Sequence, residues 1–164
     1  MASLQEILGV VLIGCGATLI MDIWLMFLKR VGVQTLNIAL IGRWVGHLFQ
    51  GRIAHASISK APQISNEVLL GWLTHYAVGV AFATLLVSLS GIGWTATPSL
   101  APAMLTGVST VLFPFLVMQP AMGLGIAASK TSAPFKSAIR SLINHSVFGL
   151  GLFFSASAIA WISR

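Results

Sequence analysis

The stretch Ile7–Leu28 reads ILGVVLIGCGATLIMDIWLMFL, with Asp22 as its one charged residue. A helix needs about 20 apolar residues to cross the hydrocarbon core of a bilayer, and this run supplies them. Three further stretches meet the same requirement, Val68–Leu89, Leu100–Ala128 and Ile139–Ile162. Backbone polar groups in lipid must pair internally, so only helices and closed barrels cross it. The four runs are continuously apolar instead of alternating as barrel strands do. They predict an all-α integral membrane four-helix bundle. In the third run Pro114 and Pro120 each remove a backbone donor, which predicts a kinked or broken helix, and Gly123 and Gly125 loosen its end.

The composition agrees. Of 164 residues 57% are hydrophobic and 7% charged, and the mean hydropathy is +0.94, a balance that leaves too little charge to cover a soluble surface. The net charge of +6 raises the question of nucleic acid. The nine Lys and Arg residues, however, lie between or beside the apolar runs and form no basic stripe with interleaved aromatics. They are topology signals and contacts to membrane lipid headgroups, and no nucleic-acid partner is expected. Cys15 is the one cysteine and lies in an apolar run, so it reads as a buried, inert thiol. The long apolar runs leave no room for a second module, so residues 1–164 are expected to form a single membrane domain. Met1 to Glu6 carries no basic segment and the run after it exceeds a signal peptide's apolar core, so the first span reads as a retained helix.

Basic residues set the orientation. Lys29, Arg30, Arg43, Arg52 and Lys60 fall in the first connection and Lys130, Lys136 and Arg140 around the third, while Ser90 to Ser99 and the N-terminal flank hold none. The positive-inside rule then places the first and third connections in the cytoplasm and both termini in the periplasm of a bacterial inner membrane, with Arg164 alone opposing. The first connection contains Leu36–Phe49 (LNIALIGRWVGHLF), whose mixture of apolar and aromatic residues with Arg43 and His47 predicts an interfacial or re-entrant helix. Ala61-Pro62 and Ser65-Asn66 mark a turn and a cap before Glu67.

Polar groups in hydrocarbon are costly unless paired. Asp22, His75, Gln119 and His145 lie one on each predicted span. Counted from the cytoplasmic ends at ~1.5 Å per residue, they sit roughly 10, 12, 16 and 13 Å deep. The matching depths predict one shared polar site, lined also by Asn144, Arg43, Trp72 and Tyr76. Gly71-x3-His75-x3-Gly79 and Ser141-x3-His145-x3-Gly149 each set a His between small residues on one helical face, where another helix can approach closely. Together with Ile20-Met21-Asp22 and Val117-Met118-Gln119, they suggest two helix hairpins related by a pseudo-two-fold axis along the membrane normal.

Gly42-Arg43-Trp44-x-Gly46-His47 with Gly51 and His55, Glu67-x3-Gly71-Trp72-x2-His75-Tyr76, Met118-Gln119-Pro120-x2-Gly123-x-Gly125 and His145-x3-Gly149 resemble the bacterial domain-of-unknown-function 2938 family over nearly the whole chain. The resemblance implies an inner-membrane protein and carries no activity with it.

Two functions follow from the polar residues. Imidazole with carboxylate suits zinc or iron. On that reading His75, His145 and Asp22 are metal ligands, with Glu67, His47 or His55 as further ligands or proton carriers, in an enzyme acting on a hydrophobic substrate. Alternatively Asp22 with His75 or His145 exchanges protons or a cation and couples them to a small solute; four helices enclose little volume, so such a transporter would work as a homodimer. A haem held between His75 and His145 and a purely structural role are further alternatives. The orientation is the sharpest expectation. Cysteine labelling at Gly93 and at the C-terminus should report periplasm, and at Lys60 and Ser132 cytoplasm; a cytoplasmic Gly93 would overturn it.

Overall fold

The computed structural model describes residues 3–35 and 37–163. Met1 and Ala2, Leu36 at the head of the expected interfacial segment and Arg164 with its opposing charge lie outside the described residues. Among the described residues the regular structure is all helical, with no strand. Five helices carry the fold: α1 Leu4–Arg30, α2 Ile38–Phe49, α3 Glu67–Ser90, α4 Leu100–Ala121 and α5 Pro134–Ile162. All but α2 are long and apolar enough to cross a membrane.

Local chemistry sets the ends. α1 begins earlier than the apolar run because Ser3 and Glu6 form a capping box, the Ser3 hydroxyl accepting from the Glu6 N–H at 3.2 Å and the Glu6 carboxylate accepting from the Ser3 N–H at 2.7 Å. α5 likewise begins at Pro134, ahead of Ile139, since proline is favoured in a first turn where its missing N–H is not needed. α3 starts at Glu67, after Asn66 in the left-handed region with φ +58°, a conformation Asn tolerates.

α4 is broken, as its prolines require. Regular α-helix runs from Leu100 to Ser109, and a π turn occupies Pro114–Met118 before a last turn Gln119–Ala121. The span ends at Ala121 instead of Ala128. Gly123 and Gly125 take φ of +87° and +76°, which turns the chain back before a 3-10 turn at Ile126–Ala128.

The chain separates into two compact units. One comprises residues 3–33, 76–110 and 143–163, the other 34–75 and 111–142. The first packs four helical segments around Ile13, Ala17, Ala83, Leu86, Ala103, Phe148, Leu152 and Ala156. Its helices approach at backbone level: a Cβ added at Gly14 would lie 2.6 Å from Val80 Cα and one at Gly151 2.9 Å from Ala17 Cα, while Gly107 faces Gly149. Cys15 in this unit is half-buried, more open than expected. The second unit packs α2 against the start of α3, where Gly42 meets Glu67 and Gly71 meets Ile38. Its small core joins Trp44, Ile58 and Met122.

Gly107→Val should therefore lower stability by about 1–3 kcal/mol, because the new side chain enters the Gly149 backbone. Gly9→Ala, with nothing within 4 Å of the added Cβ, should leave stability unchanged or raise it by up to about 1 kcal/mol, since alanine favours the helix over glycine. Thermal unfolding in detergent distinguishes the two.

Candidate functional site

In the second unit the controlling residue is Arg43, buried at 6% exposure. Its Nε donates to Glu67 Oε2 and its Nη2 to Glu67 Oε1, both at 2.8 Å, a two-point pairing that fits the planar guanidinium. Nη1 donates to the carbonyls of Ser59 and Ala61 at 3.2 Å and of Ile58 at 3.4 Å. The Glu67 carboxylate raises the Arg43 guanidinium further above its already high range. One side chain on α2 thereby holds the chain segment ahead of α3. Glu67, expected as a metal ligand, is the ion-pair partner of Arg43 here, and its Oε2 also accepts from the Ile64 N–H at 3.3 Å.

One turn further along α2, the buried His47 bonds through Nε2 to the Pro62 carbonyl at 3.0 Å. A carbonyl can only accept, so Nε2 carries a proton and, in the neutral imidazole, Nδ1 has the lone pair. The His55 ring stands edge-on to it, centroids 4.8 Å apart and planes at 80°. The His55 N–H donates to the Ala121 carbonyl at 2.8 Å and the Ile58 N–H to Met122 at 3.0 Å, which ties the segment to the end of α4. His47 Nδ1, both His55 ring nitrogens and Gln119 Oε1 are buried with no hydrogen-bond partner among the described residues. Burial pushes the His55 imidazole below its ordinary range, and neighbouring His47 and Arg52 act in the same direction. Gln119 itself is buried and donates to Ser141 Oγ at 3.4 Å. The Trp72 and His75 rings meet at 5.9 Å.

The first unit holds the other polar residues singled out in the sequence. The Tyr76 hydroxyl donates to Asp22 Oδ2 at 3.1 Å. Trp24 Nε1 donates to Asn144 Oδ1 at 3.0 Å. His145 Nδ1 lies 2.8 Å from Thr110 Oγ1, whose proton goes to the Gly107 carbonyl at 2.6 Å. A hydroxyl has one proton, so Nδ1–H donates to Thr110 and Nε2 carries the lone pair.

Asp22, Tyr76, Asn144 and His145 thus belong to one unit, and Arg43, His47, His55, Glu67, Trp72, His75 and Gln119 to the other. Among the described residues no three His, Cys, Asp or Glu side chains gather closely enough to hold a metal ion. Thr110 and the Pro62 carbonyl were not among the expected residues. Thr110 carried a signal, a hydroxyl four residues before Pro114; a main-chain carbonyl carries none.

A family model described as "Protein of unknown function (DUF2938)" matches residues 11–159. The chain belongs to that family. Neither the curated proteins nor the solved structures include a match. In this DUF2938 member the four sequence blocks that carried the resemblance supply Arg43, His47, His55, Glu67, Gln119 and His145, and both polar clusters draw on them.

Arg43→Ala should cost about 3–5 kcal/mol, since it leaves the Glu67 carboxylate unpaired in a half-buried setting. Arg43→Ala combined with Glu67→Gln should recover part of that loss. A double-mutant cycle read by thermal unfolding measures the pairing; additive losses would mean that the two side chains act independently.

Proposed function

We propose that this protein is a proton- or cation-coupled transporter of a small solute in the bacterial inner membrane, with Asp22 as the exchanging group. The observation that carries the reading is the Asp22–Tyr76 hydrogen bond of 3.1 Å. A carboxylate within an apolar span is expensive and marks a functional path by default. A phenol that donates to its charged form offsets part of that cost and gives a proton a neighbouring oxygen to use. His145 adds a second group able to accept a proton, through Nε2, in the same unit.

The broken α4 supports the same reading. Its π turn and two prolines loosen the helix that carries Thr110, the partner of His145. The distribution of basic residues supports cytoplasmic first and third connections and periplasmic termini. Four spans enclose little volume, which favours a homodimer surrounded by membrane lipids. An enzyme using zinc or iron at Asp22, His75 and His145 has less support, because Asp22 and His145 bond to a phenol and a hydroxyl respectively. A haem between His75 and His145 has no observation behind it.

The test is charge movement in protein reconstituted on a solid-supported membrane. A pH jump should drive a transient current in the wild type that falls about tenfold or more in Asp22→Asn, while Tyr76→Phe keeps the current with altered rate. An undiminished current in Asp22→Asn, or no current in the wild type, defeats the proposal.

A further inference from the structure

We infer that His47 and His55 bind a divalent metal ion with tetrahedral, zinc-like geometry, at a site built from different residues than the Asp22 pair. His47 is 2% exposed. Its Nε2–H is fixed on the Pro62 carbonyl, so the lone pair is held on Nδ1, which is buried and without a partner among the described residues. That is the arrangement of a metal-binding histidine, where the distal N–H is donated to a carbonyl so that the ligating nitrogen is aimed and made more basic. Helix α2 supplies this ring and the 51–66 segment supplies the other, whose main chain is anchored on Ala121.

The rings are spaced as a shared ion would space them. With a metal–nitrogen bond of about 2.0–2.1 Å, an imidazole centroid lies about 3.2 Å from the ion. Two such rings with centroids 4.8 Å apart subtend an angle of about 97° at the metal, near the tetrahedral value. A linear two-coordinate ion would hold the centroids about 6.4 Å apart, which disfavours that geometry. An edge-to-face packing contact also falls at such a separation. Packing alone, however, leaves three ring nitrogens buried and unsatisfied, at about 1–3 kcal/mol for each lost partner. Coordination answers two of them together.

The neighbouring charges fit a site of this kind. Glu67 is committed to Arg43 by both oxygens, so the ion would be held by neutral imidazoles. Two protein ligands leave positions open for water or an exchangeable anion, which implies reversible binding instead of a closed structural site.

Full-length protein, with any affinity tag removed and prepared without chelator, is titrated with Co²⁺ and then Zn²⁺ in detergent. The expected result is one equivalent per chain, a visible Co²⁺ spectrum of tetrahedral intensity that Zn²⁺ displaces, and a rise in thermal midpoint with Zn²⁺. His47→Ala and His55→Ala should each weaken binding by about tenfold or more, while His75→Ala and His145→Ala bind as the wild type does. Because His47→Ala also removes the bond to Pro62, His55→Asn is the deciding variant: it should fold with the wild-type midpoint in the absence of metal and lose the Zn²⁺ shift. No stoichiometric binding by the wild type, binding unchanged in His55→Asn, or loss in His75→Ala instead would each overturn the site. None of these results bears on the Asp22 current, so the two proposals fail separately.

Discussion

Lipid tails are as apolar as leucine, so no hydrophobic force draws membrane helices together. What holds the first unit is backbone contact at small residues. Gly14 lies against Val80, Gly151 against Ala17, and Gly107 against Gly149. Each removes a side chain from a crossing point, and the dispersion gained over the closer surfaces replaces the missing solvent effect. The bonded pairs of this unit sit on helices held in this way. Tyr76 can meet Asp22 because α1 and α3 close at Gly14 and at Gly79, which faces Thr18; His145 can meet Thr110 because α4 and α5 close at Gly107 and Gly149.

The second unit works differently. Its α2 also closes on the start of α3 at Gly42 and Gly71, but the loop and the unwound end of α4 share little helix–helix surface, and there polar bonds take over. Arg43 satisfies three carbonyls and a carboxylate at once, Trp44 Nε1 donates to the Ile53 carbonyl at 3.0 Å, and His47 holds Pro62. Buried cations are costly unless fully partnered, and Arg43 meets that condition by bonding to groups that lie 15 to 24 residues further along the chain.

The spans were legible in the sequence because hydrocarbon imposes a length and a composition that few segments meet by chance. The break in α4 was legible because Pro114 and Pro120 lack the donors a continuous helix requires. The small residues flanking His75 and His145 were read as places of close approach, and Gly71, Gly79 and Gly149 each meet another helix. The pairings were less legible. Which donor reaches Glu67, or whether a hydroxyl reaches His145, depends on helix rotation, and a uniformly apolar span carries little periodic signal to set it. The 51–66 segment was least legible of all, since its bonds run to main-chain carbonyls, which every residue possesses.

The second unit also has a consequence for biogenesis. His55 and Ile58 find their main-chain partners at Ala121 and Met122, roughly sixty-five residues later, a delay of ~3–13 s at ~5–20 residues per second of synthesis. Through that interval α2 and the loop behind it have left the ribosome without the carbonyls that complete them. Helices α3 and α4 must be threaded first. Assembly of this lobe is therefore a late event in the life of the nascent chain, and truncation before Ala121 would leave the buried histidines without their scaffold.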